Sequence, residues 1–382
     1  MSRAINHREL SALVRTKGAE QTASHLREAL EAKQIKAEDF SIRELAEHLI
    51  PDGREFVNML APGKSGGISM LSENAVKTTD FGNITGPVIY SKVNEGFKNP
   101  LFIGDSLVDV IPTQFSGERI PAIGQMGDKA ESVTEGQPYP MVGLNEDYID
   151  TAATVKKGLI IPVTKEAIFF DRTGLLLRRC AEVGYWLGVN KEKRIINTVT
   201  GQTGYNNYNW KGTTSNTYNA ASPWANSQSN TLTDYKDIED AQLLLDAMTD
   251  PSTGEPIMVM ANAILVPTAL KYTAARILNS TEVRVGDGAS TTVQTISQNP
   301  LSGQSFAILS SQYVKSITTS ASTWYFGDFK RAFAYMQNWP LTVSQSAENS
   351  EVDFTNDIVL RYKASERGVA QVIEPRCVVK NT

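Results

Sequence analysis

Histidine is nearly absent: it stands only at His7, His25 and His48, so nothing after residue 48 carries an imidazole. A Ser-His-Asp or Cys-His site in the main body would have to borrow its base from the N-terminal end, and a His-based zinc site fails in the same way. Cysteine is as scarce. Cys180 and Cys377 have neither metal nor redox spacing and make no disulfide framework. Cys180 falls in a helical pattern and reads as a small buried apolar residue. No apolar run reaches the roughly 18 residues that span a bilayer, and Met1 to His7 lacks the apolar core of a secretory signal, so neither is expected. An excess of positive charge is missing too: 37 Lys+Arg against 42 Asp+Glu leave −5, which excludes a broadly basic nucleic-acid binder. Gly63-Lys64-Ser65 matches the end of a phosphate loop, but no glycine stands five positions earlier, so the segment reads as a linker. Glu182, Asp240 and Asp246 are candidate acids and bases without partners, better explained as solvated helix residues. No catalytic residue, metal site or cofactor is expected, and the chain is read as a non-enzyme.

What is present suffices for two or three packing units: 382 residues, 41% of them hydrophobic. Residues 1–50 look helical. Leu26 and Leu30 lie one turn apart, and Ser41 to Glu44 has the form of a capping box ahead of an Ile42, Leu45, Leu49 stripe. So short a stripe must be covered, either by its own domain or by a neighbouring subunit. Residues 114–157 are polar and turn-rich, with Gln137-Pro138-Tyr139-Pro140 near the middle. A two-stranded hairpin reaching away from the body accounts for them, and such a hairpin implies a partner surface.

The strongest helix runs over 171–200, capped by Asp171 or Thr173, with Leu176, Cys180, Val183 and Leu187 on one face. Gly184 and Gly188 allow another backbone to come close. Arg178, Arg179, Lys191, Lys193 and Arg194 form either a solvated face or a loose contact with nucleic-acid phosphates. Residues 201–231 hold a single charge, Lys211, and read as a surface loop. Exposed Tyr205, Tyr208, Trp210, Tyr218 and Trp224 would suit stacking on sugars or partner side chains; the alternative is an inserted loop that packs on itself. Thr233-Asp234 caps a helix bearing Ile238, Ala241, Leu244, Leu245 and Met248. Ile257 to Ala261 reads as a buried strand, Asn262 to Pro267 as a turn, and Thr268 to Leu278 as a helix. Ile358 to Ala364 alternates as a strand, Glu366-Arg367-Gly368 as a turn, and Val369 to Ile373 as the next strand of a meander.

This order resembles the major capsid protein of tailed double-stranded DNA phages, of the Hong Kong 97-like fold. Ala130 to Gly136 with Pro140 is similar to the tip of that family's extended loop, and Asp109 to Gly117 to the strand feeding it. Gly158 to Asp171 resembles its strand-to-helix junction, and Asn262 to Tyr272 its "x-v-x-n-p" strand and helix. Leu301-Ser302-Gly303 stands where the family reads "L-x-G", Asp328-Phe329 where it reads "G-D-f", and Val352 to Ile358 with Arg361 to Gly368 resembles its closing segment. The resemblance covers about 100 to 378.

The resemblance implies an α+β chain. It would have an N-terminal helical arm and linker (1–100), a peripheral domain with the spine helix (101–113, 158–200 and 327–382), an extended β-hairpin loop (114–157) and an axial domain (201–326). The implied function is self-assembly into hexamers and pentamers of an icosahedral head around double-stranded DNA. An encapsulin-type nanocompartment shell is the alternative. Implied interface residues are Leu26, Leu30, Leu45 and Leu49 in the arm and Glu135, Gly136, Pro138, Tyr139 and Pro140 at the loop tip; Tyr208, Trp210 and Trp224 would face solvent. Implied partners are further copies, a portal, scaffold or cement proteins, and weakly held DNA, with no membrane, in a virion capsid assembled in the host bacterial cytoplasm. Residues 1–60 are expected to be retained in the particle. With no lysine between Ala130 and Val155, no isopeptide crosslink from the loop is expected.

Overall fold

Apolar residues at helical spacing alternate along this chain with short runs at strand spacing, and the computed structural model is accordingly α+β. It describes residues 41–49, 85–123, 132–137, 139, 146–170, 175–205, 207–250, 253–286, 294–346 and 358–382, with isolated positions before 59. Two compact units form. The first is built from 1–100, 156–190 and 339–367, the second from 101–155, 191–338 and 368–382. This grouping puts 101–155 with the mixed segment 201–326, a different partition from the four-part scheme above.

In chain order the elements are α1 (Ile42–Leu49), α2 (85–97), α3 (Gly104–Leu107), β1 (Asp109–Pro112), β2 (Arg119–Ile123), β3 (Glu146–Asp150) and β4 (Val155–Thr164). Then come α4 (Lys165–Phe170), the 25-residue α5 (Leu175–Val199), β5 (Asn207–Trp210), β6 (Thr213–Asn216), β7 (Ser227–Gln228) and α6 (Tyr235–Asp246). The rest are β8 (Ala263–Pro267), α7 (Lys271–Asn279), β9 (Glu282–Gly286), β10 (Gln294–Gln298), β11 (Ala307–Ser311), α8 (Gln312–Thr318), β12 (Trp324–Gly327), α9 (Phe329–Ala332), β13 (Phe333–Gln345), β14 (Ile358–Val372) and β15 (Val378–Asn381).

In the first unit, Ile42, Leu45 and Ala46 of α1 join Val93, Ile168, Leu177 and Cys180 in one core. Arg43 Nη1 donates to the Phe169 carbonyl at 2.6 Å, which fixes α1 on α4. Ile42 and Leu45 of the α1 stripe are therefore covered by their own chain. Helices α2 and α5 meet backbone to backbone: a Cβ on Gly184 would overlap the Val93 carbonyl oxygen, and one on Gly96 the Ala181 carbonyl oxygen. Gly184→Ala should cost about 3 kcal/mol, since neither backbone can retreat without opening the core. A denaturant melt checks this, and an unchanged midpoint would show that the helices separate freely.

The second unit is built on a five-stranded sheet, order β11-β8-β12-β15-β7. β8 runs parallel to β11 and antiparallel to β12, which is antiparallel to β15. Trp324, Tyr325, Phe326, Phe329, Phe333 and Tyr335 are buried there. Asp234 caps α6, as expected, and the structure adds a reciprocal box with Asp237.

Two sequence expectations are corrected. The buried strand is Ala263–Pro267, not 257–261. Ile257 and Val259 are covered, but Met258 and Met260 are 91% and 86% exposed, so only one side of that segment meets the core. An apolar run carries no phase, which is why its five residues and the next five could not be told apart. Likewise Ile358–Val372 is one continuous strand with no turn at Glu366 to Gly368. Gly368 is there because a side chain would strike the Tyr335 ring, not because the backbone reverses.

Candidate assembly surface

The strands flanking the turn-rich segment set its root. β2 and β3 pair antiparallel from Arg119↔Asp150 to Ile123↔Glu146. β3 then bridges to β5 at Ile149↔Trp210, and β5 pairs with β6, giving a four-stranded sheet in the order β2-β3-β5-β6. The two-residue link between β5 and β6 is Lys211-Gly212, both at positive φ (49° and 75°), the backbone of a tight hairpin. Lys211 donates its amide to the Tyr148 carbonyl at 3.1 Å and pairs its ammonium with Asp147. Arg119 stacks 4.6 Å from the Tyr148 ring centroid and meets Asp150 at 2.9 Å. Below the root, Glu118 and Thr151 exchange backbone and hydroxyl hydrogen bonds at 2.7–3.0 Å. Asn338 Nδ2 donates to the carbonyls of Thr113 and Phe115.

The long helix anchors the segment before β1. Glu192 is buried and accepts from the amides of Ile103 at 3.0 Å and Gly104 at 2.7 Å. Burial pushes its carboxyl above the usual carboxylate range, against the pull of those two amides. Lys191 meets Asp105 at 2.7 Å and lies over Tyr335; Arg194 donates to the Gly368 carbonyl at 3.1 Å. These two cations hold their own fold together, so the solvated-face reading fails for them; Arg178 and Arg179 are exposed.

Of the expected interface residues, Glu135, Gly136 and Tyr139 are exposed, Tyr139 to 82%. Leu45 is fully buried in its own unit and offers no surface, a correction. Pro138, Pro140, Leu26 and Leu30 lie outside the described residues, as do the side chains of Leu49 and Glu44, the helix caps Asp171 and Thr173, and the linker 62–73.

The expected surface loop is corrected as well. Tyr208 is 5% exposed, and Trp210, Tyr218 and Trp224 pack against the core of the second unit. Tyr208 and Trp224 meet edge to face at 5.5 Å, and Trp224 Nε1 donates to the Thr217 carbonyl. Tyr218 donates its hydroxyl to the Val199 carbonyl at 2.6 Å. The segment is a hairpin and a strand whose aromatics supply the apolar area that its polar composition hides. Only Tyr205, at 44%, keeps the expected exposure. Asn226 went unnoticed because a lone Asn in a polar stretch carries no pattern. The Lys-Gly pair between Tyr208-Asn209-Trp210 and Thr213 was a usable hairpin signal.

Among the described residues no group of His, Cys, Asp or Glu is arranged to hold a metal ion, and no helix is long and apolar enough to cross a membrane. Burial pushes the Cys377 thiol up to about 12, helped by the negative charge of Glu374. A thiol so protonated is a poor nucleophile, and Cys180 is fully buried. Native protein at pH 8 should take up a maleimide at neither cysteine over an hour, and both should react in denaturant. Rapid native labelling would mean that one unit opens.

The family model described as phage capsid protein matches residues 148–381. Among solved structures the chain is similar to the capsid of a native GTA particle (11% identity over 76% of this chain and 89% of that one, TM-score 0.44). It is also similar to Gordonia phage Cozz (14%, 73% and 85%, 0.45) and to the capsid of cyanophage Pam1 (9%, 76% and 92%, 0.45). No curated protein sequence matches.

Proposed function

The chain belongs to the phage capsid protein family, and from that premise we propose that it assembles with its own copies into the hexamers and pentamers of an icosahedral phage head. It is a structural major capsid protein of the virion. The observation that carries this is the family match over 148–381, which begins in the second strand of the loop root and ends in β15. That match favours the phage shell over the encapsulin-type compartment.

In this reading residues 114–157 are the extended loop, its exposed tip at Glu135, Gly136 and Tyr139 lying on a neighbour. Residues 101–113, 158–200 and 327–382 form the peripheral domain, 201–326 the axial domain and 1–100 the arm. Segments that carry little core of their own gain stability by burying apolar area between subunits. Many modest contacts closed by symmetry then make a strong shell. Its role is structural: buried Glu192 is spent on the amides of Ile103 and Gly104, and burial keeps the Cys377 thiol protonated. Packaged DNA touches it weakly: Lys191 and Arg194 are committed within the chain, which leaves exposed cations such as Arg178 and Arg179 for loose phosphate contact. Portal, scaffold and cement proteins complete the particle, which forms in the host cytoplasm.

Sedimentation velocity with negative-stain electron microscopy tests the proposal. Closed shells or capsomer-sized rings are expected from the protein alone or with the other virion proteins. A subunit that stays monomeric in both settings at every concentration would sink it.

A further inference from the structure

A ring of identical subunits needs two different surfaces on one chain, each complementary to the other, because head-to-tail contacts alone close a ring of five or six. The second unit carries such a pair. The first surface is a groove of about 500 Å³ between α6 and residues 300–306, with Ile238, Leu243, Met260, Leu301, Phe306 and Phe326 among its walls. Its rim is open: Leu243 is 58% and Met260 86% exposed, apolar area that a lone subunit leaves in water. The helix on one side is acidic. α6 carries Asp237, Glu239, Asp240 and Asp246 against Lys236, and Glu239 itself lines the groove.

The second surface is the outer face of α7. Tyr272 is 80% exposed there, with Lys271 beside it and Arg276 one turn further along the same face, and α7 has no acidic residue. α7 packs against β8 and β11, whereas α6 packs against β12 and β15, so the two surfaces sit at different places along the five-stranded sheet. Tyr272 is not among the residues lining its own groove.

We propose that the groove beside α6 receives α7 of a second copy, with Tyr272 as the plug and Lys271 and Arg276 against Glu239 and its acidic helix. This deepens the shell reading and rests on it. A buried tyrosine removes about 150–250 Å² from water, and its hydroxyl needs a polar partner inside; Gln242 and Gln304 line the groove and provide amides. Groove against groove would set two acidic helices face to face, so the charges select the head-to-tail arrangement.

The test uses the full chain at low salt, where exposed charges act over a longer range. Glu239→Lys alone, and Lys271→Glu with Arg276→Glu, should each leave the subunit unassembled in sedimentation velocity while its thermal melt stays unchanged. The three substitutions together restore the complementary pair and should restore assembly. Tyr272→Ala should raise the subunit concentration needed for assembly at least tenfold. Independently, Met260→Cys with Tyr272→Cys should give, on oxidation of assembled protein, a covalent ladder up to a ring. Single variants that assemble like the parent, a folded triple variant that stays unassembled, or an absent ladder would overturn the contact alone. A parent chain that stays monomeric both alone and with the other virion proteins would overturn the shell reading as well.

Discussion

Gly327→Ala should cost the second unit at least about 3 kcal/mol, a large share of the roughly 5–15 kcal/mol that holds a typical domain together. Gly327 ends β12 at φ 148°, where side chains are strained. An added Cβ would also overlap the Cys377 carbonyl oxygen and lie 2.8 Å from Val378 Cα. Both obstacles are backbone, and both belong to the stretch that pairs with β12 at Gly327↔Val378. Relief would mean moving β15 away from a strand whose Trp324, Tyr325 and Phe326 are fully buried. Gly303→Ala separates strain from collision: its φ is 105°, and nothing lies within 4 Å of the added carbon. That variant should lose only about 1–2 kcal/mol. Urea melts of the two decide the matter; equal losses would mean that the β15 backbone yields and the collision counts for nothing.

Asn226→Ala should cost about 2–4 kcal/mol, more than one side chain in a polar stretch suggests. Asn226 is fully buried. Its Nδ2 donates to the carbonyls of Thr217, Pro375 and Val378 at 2.9, 2.9 and 3.1 Å, and its Oδ1 accepts from the Asn219 amide at 2.9 Å. Truncation strands four backbone groups where water does not reach them. Asn226→Asp should be worse than Ala, because it keeps the acceptor but turns a carboxylate oxygen toward three carbonyls. The Lys380 amide, which donates to the Asn226 carbonyl at 2.9 Å, should exchange its hydrogen faster in either variant. Unchanged exchange, with stability within about 0.5 kcal/mol of the parent, would remove Asn226 from the list of anchors.

Much of the architecture was legible where a pattern repeats locally. The face of Leu176, Cys180 and Leu187 announced the long helix, and all three are buried. Asp234 ahead of Ile238, Ala241 and Leu245 announced the capped helix α6. Glycines punctuate the segment around Gly136, and a turn stands there, with the Gln137 amide bonded to the Thr134 carbonyl at 3.1 Å. The misreadings came where two local patterns compete. Residues 257–261 and 263–267 are similarly apolar, and burial alone picks the strand. Gly368 looks like a turn glycine until the Tyr335 ring is placed beside it. The Tyr- and Trp-bearing segment looks solvated because composition counts residues, whereas Tyr208 and Trp224 bury large rings among polar neighbours.

The sequence by itself determined the class of this protein. The periodicities set the long helix and the capped helix α6, the strand pattern showed only in a few stretches, and the order of motifs pointed to a capsid shell. Tertiary structure alone decided which residues tie distant segments of the second unit together. Lys211 reaches Asp147, Glu192 takes the amides of Ile103 and Gly104, and Asn226 ties itself to a carbonyl 152 residues away. The physical reason is range. Helical and strand periods are written among near neighbours, while a buried hydrogen bond between distant segments exists only once packing has brought both partners together and removed the water that would have satisfied them.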